Sequence, residues 1–175
     1  MAKYLFSLKS TKYGAPTGLN TMPDAGSMTA LPDTVKGSVS LNESDPQVSK
    51  FRTDQKKAPI RVVKTEDGEF SVTMQFYDMT YDVLEAIKGG TSVAAVPATS
   101  PAAWQNGASF EDIEKALELE LDSGQKILMY NAYIETKING SGSRDGMIAV
   151  EMKATAQLAA DLSGDYEIKD VDIPA

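Results

Sequence analysis

Hydrophobic and polar positions alternate with period two through most of this chain. Val35-Lys36-Gly37-Ser38-Val39-Ser40-Leu41 places apolar or small residues at odd positions and polar ones mostly at even positions. Such alternation predicts a strand with one buried face. Pro59 to Lys64, a turn at Glu66-Asp67-Gly68, and Phe70, Val72, Met74 and Phe76 alternating with Ser71, Thr73 and Gln75 predict a hairpin. Asp-Gly favours that turn because glycine accepts positive φ. A short helix follows, capped by Asp78 or Thr80, striped by Val83, Leu84 and Ile87, and stopped at Gly89-Gly90.

Farther along, Ser109-x-x-Asp112 fits a helical turn over 109–113, whereas Leu117, Leu119 and Leu121 against Glu118, Glu120 and Asp122 fit a strand from about Glu114 to Leu121. A turn at Asp122-Ser123-Gly124-Gln125 leads into Lys126 to Tyr130, apolar on both faces and therefore central in its sheet. Gly140-Ser141-Gly142-Ser143 is a turn without phosphate-loop spacing. From Ile148 to Leu158 the alternation is clean, with Glu151, Lys153, Thr155 and Gln157 on the polar side. Six or seven strands and one helix predict a mainly β fold, an antiparallel β-sandwich or open barrel with one short flanking helix. Breakers through residues 1–34 mark an N-terminal arm, in which Tyr4-Leu5-Phe6 could add to a sheet. The β domain covers 35–160, with a long loop at 42–58, and an acidic C-terminal extension covers 161–175. Removing residues 1–12 is expected to weaken assembly of copies more than folding, because the arm shows no core face of its own.

Charge adds a second feature. Between residues 50 and 64, Lys50, Arg52, Lys56, Lys57, Arg61 and Lys64 face a single acid, Asp54, in a chain of net charge −8. Two readings stand: a solvated loop, or a cationic group that touches the acidic body of another copy. Trp104, the lone tryptophan, lies in the Ala/Pro/Ser-rich run from Thr91 to Gly107 and anchors in a hydrophobic seat, its own or a neighbour's.

The 175 residues contain neither cysteine nor histidine. That removes disulfides, thiolate metal sites, imidazole bases and any Ser-His-Asp or Cys-His pair. No two of the 25 acids stand out as a glycosidase pair. The expectation is a protein that is not an enzyme and takes no cofactor or metal. No run approaches the ~20 apolar residues of a membrane span, and the first eight residues have too short an apolar run for a signal peptide. A soluble protein made in the cytoplasm is expected, and the acidic balance disfavours tight binding to phosphates.

The sequence Gly37 to Leu41, an acidic-Pro segment (Glu43 to Pro46), a charged loop and Ala58-Pro59-Ile60 precede the hairpin ending Phe76-Tyr77-Asp78-Met79-Thr80. The Val83-Leu84-Glu85 helix, Gly89-Gly90, Trp104 in a linker, Tyr130-Asn131-Ala132-Tyr133-Ile134 and a late alternating strand complete the order. This order resembles the major tail tube proteins of long-tailed bacteriophages, over residues 35 to 160. The resemblance implies a β-sandwich or barrel that forms hexameric rings, stacked into a tail tube that passes DNA without reading it. It implies a virion location, self and other tail proteins as partners, and no membrane. In that family the loop after the early strand and the terminal arms bridge rings, which makes Lys50, Arg52, Lys56, Lys57, Tyr4, Phe6 and Trp104 the candidate inter-subunit contacts. Glu114, Glu118 and Glu120, opposite a Leu-rich face, become candidates for an acidic lumen wall. A tube subunit of a contractile injection or secretion system is the nearest alternative. A carbohydrate-binding or adhesive β-sandwich is the next.

Overall fold

The structure, a computed structural model, describes residues 7–107, 111–140, 148–159, 161 and 164–171. It is mainly β, with antiparallel sheets and one α-helix among the described residues. The strands are β1 (Leu8–Gly14), β2 (Thr29–Ala30), β3 (Ser40–Glu43), β4 (Gln47–Phe51), β5 (Arg61–Glu66) and β6 (Phe70–Phe76). Helix α1 (Tyr81–Lys88) follows, then β7 (Thr91–Val93), β8 (Ala103–Gln105), β9 (Glu114–Leu121), β10 (Gln125–Gly140), β11 (Ile148–Gln157) and β12 (Tyr166–Asp170).

Eight strands form the main sheet in the order β2-β1-β9-β10-β11-β6-β3, with β12 paired to β10 beside β11. Its inward face is the set that the alternation places there: Val72, Met74 and Phe76 from β6, Leu117 and Leu119 from β9, Ile127 and Met129 from β10, and Met152 from β11. The sheet curls because its two margins are joined by one stretch of chain. Leu31 donates its N–H to the Thr11 carbonyl on β1, and Val35 donates to Gln75 on β6, where Thr34 also bridges Phe76. That joint links the two margins through a few backbone hydrogen bonds, so that the sheet is partly closed into a barrel.

The barrel has two distinct poles. At the Phe76 end of β6, α1 covers the core with Val83 and Ile87. Thr80 caps the helix by accepting the Val83 N–H, and Gly89 ends it at φ 78°. Thr136 on β10 ties the helix down, its hydroxyl donating to the Ile87 carbonyl at 2.8 Å. At the Phe70 end, Tyr166 of β12 stacks on Phe70 with ring centroids 4.2 Å apart.

Several expectations are corrected. The strand anticipated over Val35 to Leu41 begins only at Ser40, because Ser38 turns back and bonds the Val35 carbonyl through both its N–H and its hydroxyl. The expected hairpin does not form: β5 pairs with β4, and β6 pairs with β3 and β11. Gly68 is required by proximity and not by positive φ, since a Cβ there would collide with the Ser44 carbonyl oxygen. The loop expected at 42–58 contains β4, and β4 and β5 continue the β3–β6 pairing outward as a ribbon. Residues 8–14 of the supposed arm are a barrel strand with Tyr13 in the core. Part of the expected C-terminal extension is β12, also in the sheet. Residues 111–113 are not helical, while Ser109 and Phe110 lie outside the described residues.

Candidate assembly surfaces

The β4–β5 ribbon leaves the barrel at the Phe70 pole. In register, Lys50 opposes Val62 and Val48 opposes Lys64, while Phe51 opposes Arg61 and Ser49 opposes Val63. Opposed residues of an antiparallel pair share a face, so each face carries both cations and apolar side chains. Every residue of both strands is exposed except Val63, which is half-buried. Phe51 remains 57% exposed and Ile60 58%. A two-stranded ribbon without a covering layer is marginal in water, and apolar groups of this size at its end cost free energy while solvated.

Lys50, Arg52, Lys56 and Lys57 all lie on this ribbon or its tip and are exposed. None of the four has an ion-pair partner among the described residues; Lys64 alone on the ribbon pairs, with Asp67 at its base. The structure thus brings the predicted cations together on one projection. It adds Val48 and Phe51, which sequence reading missed because Ser49, Lys50 and Arg52 interrupt the alternation that marks a buried face, and Ile60 and Val62, which the sequence places in a strand but against β6. The β-branched content of Val48, Ile60, Val62 and Val63 was the available signal.

Trp104 is seated on its own chain. Its indole Nε1 donates to the Gly89 carbonyl at 2.9 Å, and the β7–β8 hairpin lies against the end of α1. A Cβ at Gly90 would approach the indole at 3.1 Å and collide with the Gln105 carbonyl oxygen. This tryptophan therefore pins a surface hairpin to the helix, and its anchoring role is internal. Tyr4 and Phe6 lie outside the described residues.

Two of the β9 acids expected to line a lumen are balanced by bases. Glu118 sits between Lys126 at 3.2 Å and Lys12 at 3.6 Å, and Glu120 pairs with Lys9. The Lys9 hydrogen bond holds the Glu120 carboxyl below its ordinary range, and the same bond raises Lys9. These side chains form a charge-balanced ladder across β1, β9 and β10, so Glu118 and Glu120 do not present free negative charge. Two of the three lysines that balance them, Lys9 and Lys12, stand on β1, in the segment expected to be an arm. Glu114 is exposed and, with Asp112 and Tyr130, lines a cavity of about 610 Å³ beneath residues 16–19. Beside that cavity the Tyr130 hydroxyl donates to Glu167 on β12 at 2.6 Å. Burial and the neighbouring carboxylate push the phenol up to about 12. No group of three or more metal-ligating side chains occurs among the described residues.

A protein-family scan and a search of curated proteins find no match to the chain.

Proposed function

We propose that this chain is the repeating subunit of a hollow tube, of the kind formed by the phage major tail tube proteins it resembles, with rings of identical copies stacked around a bore that passes DNA. The observation that carries this reading is the β4–β5 ribbon, a projection with apolar and cationic side chains on both faces and no covering layer. Covering what is still exposed of Val48, Phe51, Ile60 and Val62 contributes about 1 kcal/mol per side chain. A partner surface therefore converts a liability into binding energy. The two margins of the main sheet are joined by its own chain, which suits a rigid wall element that carries its contacts on projections. Work of this kind is mechanical and needs no catalytic group.

Negative-stain microscopy of the purified chain is the test. Rods or stacked rings are expected for the unmodified protein, with shortened or absent rods for Lys56→Glu with Lys57→Glu. Featureless single particles at high protein concentration would refute the reading.

A further inference from the structure

The ribbon's unpaired cations have a counterpart on the same molecule that they cannot reach. Around α1, Asp78, Asp82, Glu85, Glu111, Asp112 and Glu114 stand against one base, Lys88, between residues 78 and 114. All six are exposed. None forms an ion pair among the described residues, whereas Lys9, Lys12, Lys126, Lys137 and Lys153 elsewhere on the barrel are all paired. Asp82 and Glu85 only accept hydrogen bonds from Ser92. Glu111 has its carboxylate against Gly89, at the C-terminus of α1. The helix dipole disfavours an anion there, so a cation arriving from outside would relieve it. Lys88 does not serve, because its ammonium donates to the Thr136 carbonyl at 3.1 Å. Apolar surface accompanies the acids: Tyr77, Tyr81, Val93 and Val96 are each exposed.

Position completes the match. The ribbon extends from the Phe70 end of β6 and α1 follows the Phe76 end. At about 3.3 Å per residue, β6 alone separates them by roughly 20 Å, and the ribbon reaches about 20 Å farther away. Pairing within one chain is therefore impossible. Pairing between chains is head-to-tail, and a contact that joins opposite poles repeats along the axis without closing.

We infer that the tip of the β4–β5 ribbon of one copy docks on the acidic face formed by α1 and residues 111–114 of a second copy. This rests on the tube reading above and supplies the axial contact: Lys50, Arg52, Lys56 and Lys57 meet acids at the helix pole, and Phe51 and Ile60 meet the exposed tyrosines and valines. Charge complementarity sets the register and the approach rate, and apolar burial supplies holding energy.

The test compares four proteins: the unmodified chain, Lys56→Glu with Lys57→Glu, Glu111→Lys with Asp112→Lys, and the chain carrying all four changes. Lysines at 111 and 112 suit the helix C-terminus, and an unaltered melting curve verifies that each variant folds. Sedimentation is expected to show that either reversed pair raises the concentration needed for polymer roughly tenfold or more, and that the fourfold variant polymerises again. Because the chain contains no cysteine, Lys57→Cys on one copy and Asp112→Cys on another should form a mixed disulfide in the polymer when an oxidant such as oxidised glutathione is added. Unmodified protein that never polymerises would overturn the tube reading itself. Polymers that form equally well with Glu111→Lys and Asp112→Lys, without the mixed disulfide, would overturn this docking site and leave the tube reading standing.

Discussion

A methyl group at residue 90 would strike the Gln105 carbonyl and press on the Trp104 ring, in a backbone already at φ 85°. Gly90→Ala is therefore expected to destabilise the chain by about 1–3 kcal/mol, measured by denaturant unfolding. Gly26→Ala is the control, since a Cβ there meets nothing within 4 Å, and it should change the midpoint little. Tyr130 gives a pH signature at the same scale. Its folded pKa, about 12, lies above the ordinary tyrosine value of about 10. The sign follows: the contribution is whole below about pH 10 and is lost as pH rises through about 12. Tyr130→Phe should flatten that alkaline decline, as read by thermal melts between those limits, and cost about 1 kcal/mol at neutral pH through loss of the hydrogen bond to Glu167. An unchanged alkaline profile would show that the phenol does not link to folding.

Among the elements, β1 and β12 behave differently from what their composition announces. Pairing of Thr11 with Leu119, Lys12 with Glu118 and Tyr13 with Leu117 makes residues 8–14 part of the barrel wall. Deleting residues 1–12 is therefore expected to abolish cooperative thermal unfolding, and not merely to weaken assembly; retention of a sharp transition would contradict this placement. Strands β6, β9 and β11 were legible because each buries mainly one face, the condition under which period two is written into sequence, and β10 because its Ile127 to Tyr130 run is buried on both faces. Helix α1 was legible from its cap and stripe. Of the ribbon, β5 was legible as a strand but not its partner, and β4 was not legible, because neither face is buried and nothing forces alternation. β1 was hidden for another reason: Leu8 and Tyr13 are its only large apolar residues, and its lysines earn their places by pairing with Glu118 and Glu120 across the sheet. Cross-strand partners more than a hundred residues apart leave no local trace. Of the candidate contacts, the basic cluster was visible as charge, while its apolar companions and the acidic pole needed the fold to bring them together.

For the whole molecule, a cationic ribbon at one pole and an acidic helix at the other are the features on which the proposed repetition along one direction rests. Trypsin should cut a lone chain first at Lys56 or Lys57, and assembly should suppress that cleavage severalfold. Cleavage at equal rates in both states would remove the ribbon from the interface. The electrostatic share of the contact should weaken with salt, since exposed charges are screened over about 10 Å at 0.1 M. The central claim, that identical copies supply the missing cover, is tested most directly by sedimentation velocity across a concentration series at low salt. The account predicts that the 18.8 kDa species gives way to rings and then to long polymers as concentration rises. A single species of that mass at every concentration would contradict it.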